Sequence, residues 1–326
     1  MIKLATIGTS DICNSFLEGT KLIDDFDIEA VFSRNLKTGQ DFQNRHGAKR
    51  VFTDLEQMAK DKGIDAVYIA SPNACHFWQS KLFLENKKHV ICEKPITTSA
   101  EEYIALKKIA DENGVIYMEA IISRHNPKYS DIKNALMSIG KIKSADIKFH
   151  QRSSRLDAFL SGEKVNIFDM SLKAGTLMDI GVYCVYAAVD FFGLPKSANA
   201  ESELLYNGAD GSGKATLNYG DFNANLSYSK IEQCDEPSVI VGEKGVLKID
   251  KISQYAGVHL LKDGCDTKLT DHLTKPQQMS SEAKHFAEYI LYPEKTKAEY
   301  DAISDLCFKV HTTMDSIKKA AKLKYN

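Results

Sequence analysis

Through the first 120 residues, short runs that are apolar at successive positions alternate with longer stretches of helical period. The runs are KLATIG (3–8), IEAVFS (28–33), DAVYIAS (65–71), HVICE (89–93) and VIYMEA (115–120). A strand wet on one face alternates apolar with polar side chains, whereas a run apolar throughout suits a strand covered on both faces. The intervening stretches ICNSFLEGTKLI, LKTGQDFQNRHG, DLEQMAKDKG, ACHFWQSKLFLENK and SAEEYIALKKIADENG read as helices. In the last, Ser99 is followed three residues on by Glu102, a capping box, and Gly114 stands where a helix-ending glycine belongs. Strand and helix in strict alternation, joined by right-handed crossovers, predict a doubly wound parallel sheet.

After about residue 122 the texture changes. A helix, NPKYSDIKNALMS, leads into alternating runs, KSADIKFHQRSS, KATLNYG, FNANLSYSKI, SVIVGEKGVLKID and VHLLKD, several joined by turns such as NGADGSG and GEKG. That is the pattern of an antiparallel sheet. Two helical stretches, roughly 279–292 and 298–323, follow. The expected fold is α/β: a Rossmann-type doubly wound parallel sheet over residues 1–122, then an α+β domain with a large, mostly antiparallel sheet over 123–326. A chain of 326 residues suits two domains.

Composition narrows the chemistry. The formal net charge of −2 gives no general attraction to nucleic acid or anionic lipid. Seven cysteines without a CxxC, and nine histidines without a paired spacing, indicate neither a disulfide framework nor a metal site. No segment reads as the ~20 apolar residues of a membrane helix, and MIKLATIG begins as a strand rather than a signal peptide, which makes the cytoplasm the default expectation. A small-molecule substrate fits best.

A dinucleotide fold needs a tight turn after its first strand, so that a pyrophosphate reaches the amides of a helix N-terminus. Here the turn is IGTSDIC: Gly8 matches the first glycine of GxGxxG, Ser10 and Cys13 take the other two places, and Thr9, Ser10, Asp11 and Ile12 form the candidate cradle. Cys13 has only to pack. At the end of the second strand, where a carboxylate would hold the adenosine ribose, stand Ser33 and Arg34, with Lys37 nearby. A guanidinium can pair with a 2′-phosphate that a carboxylate would repel, so NADP is expected, with NAD possible; otherwise Arg34 is a solvated loop residue.

Ligands of such sheets collect beyond the carboxyl ends of the strands. Ser71, Pro72, Asn73 and His76 follow one strand, and Glu93, Lys94 and Pro95 another. With the later segment KAGTLMDIGVYCV (173–185), these stretches resemble the Gfo/Idh/MocA oxidoreductases in their P-N-x-x-H, E-K-P and GGxLxDxGxH marks, in order and across essentially the whole chain. The resemblance implies that Lys94 is an active-site lysine beside the nicotinamide and the reacting hydroxyl, that Glu93 fixes its segment, and that the Lys94–Pro95 bond is cis. Tyr183 holds the place where much of the family has a proton-accepting histidine. Tyrosine there, with MEAIISRHNP (118–127), is similar to the branch that includes glucose-fructose oxidoreductase, dimeric dihydrodiol dehydrogenase and certain xylose dehydrogenases. If 179–183 is helical, Asp179 and Tyr183 share a face.

The implied enzyme transfers a hydride between NADP and a CH–OH or carbonyl carbon, with Tyr183 and Lys94 managing the hydroxyl proton and Asp179 orienting the substrate. A sugar or polyol ranks first as substrate and an aromatic trans-dihydrodiol second; His125 and Asn126 stand where relatives often carry aromatics. Rival readings are a non-catalytic dinucleotide-sensing regulator and a redox-neutral glycoside hydrolase of the same fold. A homodimer or larger assembly is expected through the broad sheet.

Overall fold

The computed structural model describes residues 1–325. The chain divides into two compact units: residues 1–97, 101–125 and 274–305 form the first, and residues 98–100, 126–273 and 306–325 the second.

The first unit holds a six-stranded sheet, β1 (Ile2–Ile7), β2 (Phe26–Phe32), β3 (Arg50–Phe52), β4 (Ala66–Ile69), β5 (His89–Glu93) and β6 (Tyr117–Ala120), in the order β3-β2-β1-β4-β5-β6 with every pair parallel. Helices α1 (Asp11–Thr20), α2 (Leu36–His46), α3 (Leu55–Lys60), α4 (Asn73–Glu85) and α5 (Ala100–Asn113) make the connections. The continuous apolar runs are the central strands: β4 is buried at every position and β1 everywhere but Lys3. Strand order reverses between β1 and β4, and register aligns Ile7 with Phe32 and Ile69, and Ile69 with Cys92. The residues after β1, β2, β4 and β5 therefore emerge along one sheet edge, where such folds bind ligands.

The second unit contains α6 (Tyr129–Ser138), β7 (Ile142–His150), α7 (Leu156–Leu160), α8 (Val182–Phe192), β8 (Ser197–Leu204), β9 (Asp210–Asn218), β10 (Asn223–Ser229), β11 (Ser238–Gly242), β12 (Val246–Lys251), β13 (Ala256–Lys262) and β14 (Cys265–Lys268). Its eight strands run β14-β13-β12-β11-β7-β10-β9-β8, all antiparallel except the central β7–β10 pair. Alternation buries Ala145 and Ile147 of β7, Ala224 and Leu226 of β10, and Ala215 and Leu217 of β9 on one face, against which α8 packs.

Two expectations need correction. The stretch Met170–Phe192 does have the length and composition of a membrane span, but 78% of its most apolar window is buried in the fold, as in a core helix. And residues 274–305, assigned by sequence to the second domain, belong to the first unit. There α9 (Lys275–Leu291) lies on α1 so closely that a Cβ on Gly19 would sit 2.7 Å from Met279 Cβ and 2.8 Å from the Ser280 nitrogen. The last helix, α10 (Pro293–Ala320), contributes its first turns, to Asp305, to the first unit and the rest to the second.

Alanine replacing glycine inside a helix ordinarily stabilises by about 1 kcal/mol. At Gly19 backbone blocks the methyl, so Gly19→Ala should reverse the sign and destabilise by about 1–3 kcal/mol, the range for overpacking, read as a lowered midpoint in urea. A raised midpoint would contradict the α1–α9 packing.

Candidate active site

At the end of β1 the chain turns at Gly8, whose φ of +117° lies in the region that favours glycine. A Cβ there would stand 2.8 Å from the Ala70 carbonyl oxygen. The turn delivers the chain to Ser10, which precedes α1 but makes no side-chain cap, so the amides of the first turn of α1 have no acceptor from their own N-cap side chain. Glycine turn and uncapped, positively polarised helix end are the features a pyrophosphate needs, and they fit a dinucleotide. Cys13, in the third glycine's place, is fully buried, and burial pushes its thiol up to about 12.

The next helix is finished differently. Asn35 caps α2 by accepting from the Thr38 amide at 3.0 Å, and the buried Ser33 hydroxyl accepts from the Asn35 amide. Arg34, between them, is exposed, and among the described residues no carboxylate pairs with it. Its guanidinium is available to a phosphate.

After β4, the Ser71 hydroxyl donates to Gln79 Oε1 at 2.6 Å. His76, expected among cofactor contacts, is instead buried with Nε2 2.8 Å from the Ser71 carbonyl oxygen and Nδ1 2.9 Å from that of Pro95. Burial lowers its pKa, and both neighbours can only accept, so a neutral ring donates to one at a time. It braces two loops rather than offering a nitrogen to a ligand. Pro72 N-caps α4, so Asn73 opens that helix at the same edge.

The loop that His76 braces carries Lys94. From Val90 to Thr97 every residue is buried except Lys94. Glu93, 9% exposed, accepts a 2.5 Å hydrogen bond from Tyr68, itself stacked on Phe16 at 3.8 Å between centroids. The Lys94–Pro95 bond is cis, and the Ile96 amide donates to Glu119 Oε1 at 2.8 Å, giving MEA of the 118–127 segment a structural task. Burial raises the Glu93 pKa, opposed by Tyr68, Lys94 and Lys275. Lys275, at the start of α9, is lowered by burial and raised by Glu93 and Glu282. Glu282, on the same helix, is 0% exposed, and neither carboxylate oxygen has a hydrogen-bond partner; burial, then the charge of Glu93, raises it well above the carboxylate range. Neither Lys275 nor Glu282 carries a sequence signal, since both come from a distant helix.

In the second unit, Leu177–Gly181 forms a π-helical turn that runs into α8. From Gly175 to Val189 only Asp179 and Tyr183 escape full burial, so the pair does share the one open face of an otherwise core segment. The widened turn is the kind of irregularity found at functional sites. Asp179 Oδ2 accepts from Lys230 Nζ at 2.7 Å, and the lysine side chain is only 9% exposed. Lys230, one residue past β10, was not legible in sequence because its pairing is made across the sheet. The Tyr183 ring meets Phe149 edge-on at 5.9 Å. His125 is buried with neither ring nitrogen hydrogen-bonded, its ring 4.8 Å from that of His285.

A family model described as "Oxidoreductase family, NAD-binding Rossmann fold" matches residues 2–121, and one described as "GFO/IDH/MocA C-terminal domain" matches 135–248. The chain is 41% identical over 291 residues to scyllo-inositol 2-dehydrogenase (NADP(+)) IolU of Bacillus subtilis (strain 168), covering 89% of this chain and 88% of that one. It is 30% identical over 277 residues to trans-1,2-dihydrobenzene-1,2-diol dehydrogenase of Xenopus tropicalis, with 82% of each covered. The structure of KijD10, a 3-ketoreductase from Actinomadura kijaniata in complex with NADP and TDP-benzene, matches with a TM-score of 0.84 over 98% of this chain and 97% of that one, at 22% identity, a likeness of fold.

Gly8→Ala places a methyl against the Ala70 carbonyl and forces φ where L-residues are strained by about 1–3 kcal/mol. Dinucleotide affinity should fall at least about tenfold, the factor that about 1.4 kcal/mol represents, in a titration of NADPH fluorescence. Wild-type affinity in the variant would contradict the assignment of this turn to the pyrophosphate.

Proposed function

Because the chain belongs to the Gfo/Idh/MocA oxidoreductases, an NAD(P)-dependent family, we propose that it interconverts a ring hydroxyl and the ketone of a polyol or sugar, with NADP as its preferred dinucleotide. The observation that carries this reading is that Lys94, half-buried, is the one residue not buried at the end of a buried strand, with Glu93, His76 and Glu119 fixing the loop around it. The scyllo-inositol 2-dehydrogenase relative supports the polyol class and NADP. The dihydrodiol dehydrogenase relatives favour an aromatic trans-dihydrodiol as the second choice.

In this reading Gly8, Thr9, Ser10, Asp11 and Ile12 hold the pyrophosphate, while Ser33 and Arg34 hold the 2′-phosphate. Ser71, Pro72 and Asn73 border the nicotinamide, and His76 keeps their loop against that of Pro95. The bound nicotinamide supplies the hydride acceptor or donor. Tyr183 exchanges the hydroxyl proton through its phenol oxygen, and the Lys94 ammonium stabilises the oxygen as its negative charge grows. Asp179, fixed by Lys230, accepts from a neighbouring substrate hydroxyl. Such positioning and electrostatic effects are worth several kcal/mol each in a site that excludes water.

A panel of scyllo-inositol, myo-inositol, aldoses and a trans-dihydrodiol, each with NADP and with NAD, tests the reading through nicotinamide absorbance. We expect turnover with a cyclic polyol and NADP, about 100-fold or more lost in Tyr183→Phe, as for removal of a general acid–base group. Arg34→Asp should move the preference toward NAD. No net absorbance change with any compound would refute the oxidoreductase assignment of substrate class and favour a redox-neutral reaction; unchanged NADP preference in Arg34→Asp would remove the phosphate role of that residue.

A further inference from the structure

At its entry, the motif segment of the second unit is docked on a buried carboxylate. Asp210, the first residue of β9 and 1% exposed, accepts from the Leu177 amide at 2.6 Å with Oδ2 and from the Tyr325 hydroxyl at 2.9 Å with Oδ1. Beside it, the Thr176 hydroxyl lies 2.8 Å from the Asp210 carbonyl oxygen and 2.9 Å from that of Gly211. Gly175 makes this possible: a Cβ there would fall 2.0 Å from Asp210 Oδ1 and 3.3 Å from the Tyr325 hydroxyl. The Asp179 amide in turn donates to the Gly175 carbonyl at 3.0 Å. Gly175, Thr176 and Leu177 thus dock on Asp210, two residues before Asp179 and six before Tyr183.

We propose that Asp210 and Tyr325 are positioning residues for the reaction, together holding the entry of the π-helical turn so that Asp179 and Tyr183 keep their places on the open face. The inference rests on the roles proposed above for Asp179 and Tyr183. An amide at a helix entry has no partner within its own helix, and a carboxylate accepting from it both satisfies the donor and complements the helix dipole. A carboxylate buried without its donors is costly, so the two hydrogen bonds secure its conformation. Burial pushes the Asp210 carboxyl up to about 6, against the Leu177 amide and the Tyr325 hydroxyl, which leaves it ionised and able to accept from both donors at neutral pH. The titratable groups that face it are phenols, Tyr325 from the segment after α10 and Tyr228 from β10. Tyr325 itself has Lys318 of α10 at 6.0 Å from its ring centre. Both positioning residues lie outside the KAGTLMDIGVYCV motif, one 31 and the other 146 residues beyond Asp179 (210 − 179 and 325 − 179).

Tyr325→Phe keeps the ring and removes only the hydroxyl; Asp210→Asn keeps the shape and can still accept from Leu177 while donating to the Tyr325 oxygen. The full-length variants are compared by amide hydrogen exchange resolved by mass spectrometry and by NADP reduction with scyllo-inositol. In Tyr325→Phe we expect exchange over residues 177–183 to rise about tenfold with residues 223–229 unchanged, and kcat to fall about tenfold with KM for NADP within about twofold of wild type, as for loss of one hydrogen bond to a charged group. Asp210→Asn should stay closer to wild type than Tyr325→Phe in both readouts, because it keeps two hydrogen bonds. Unchanged exchange over 177–183 in Tyr325→Phe would overturn the tether, and raised exchange with unaltered kcat would overturn its part in positioning. A wild type inactive toward the whole substrate panel would remove the proposed function and with it the positioning role, while the exchange measurement would still decide whether the tether exists.

Discussion

Glu93 is an acidic side chain at the buried end of a parallel strand, and the first unit's chemistry depends on how it is kept there. Removing a carboxylate from water costs several kcal/mol unless hydrogen bonds and opposite charges compensate. Tyr68 donates at 2.5 Å, and Lys94 and Lys275 supply positive charge, while burial and the charge of Glu93 raise the neighbouring Glu282 well above the carboxylate range. With Glu93 pointing into this cluster, the next residue is turned outward, and Lys94 becomes the open position in a buried stretch. The Ile96–Glu119 hydrogen bond and the His76 brace hold the chain on the other side of that turn. Truncating Glu93 would therefore remove the negative charge that faces Lys94 and Lys275 as well as free the loop.

The second unit solves the related problem of exposing two polar groups from an apolar core helix. Around Asp179 and Tyr183 every residue packs, and the turn that carries Asp179 is π-helical before α8 resumes normal pitch. Lys230 offsets the Asp179 charge, and the Asp210 tether fixes the start of the turn. Glycine at 175 and at 181 has the same meaning in each place, close approach: by Asp210 at the first, and at the second by the Tyr228 ring, which a Cβ would meet at 3.0 Å. The glycines of the motif are thus explained by packing.

Much of this was legible in the residues, for physical reasons. Five strands of the parallel sheet announce themselves as continuous apolar runs, but β3, three half-buried residues, is too short to carry a pattern. The sheet of the second unit was legible where side chains alternate, as in β7 and β10, and not at β8, SANAESEL, whose edge position tolerates a polar sequence. Lys94, Asp179 and Tyr183 were singled out through a resemblance, and their partial exposure amid buried neighbours could only be seen once the strands and helices around them were packed. Lys230, Lys275, Glu282, Asp210 and Tyr325 lacked any local signal, since each acquires its partner across a sheet or from a distant helix. The same reason hid the return of residues 274–305 to the first unit, because helical period does not say which surface a helix will cover.

The central claim is that Lys94 serves the reaction at a substrate carbon and not merely the shape of its loop. Its most direct test is single-turnover transfer of deuterium from ring-deuterated scyllo-inositol to NADP, measured in wild type and in Lys94→Met with NADP binding checked in each. The account predicts label in the reduced nicotinamide of the wild type and a transfer rate lower by about 100-fold or more in the variant at undiminished NADP affinity. Transfer at the wild-type rate without the amine would contradict it.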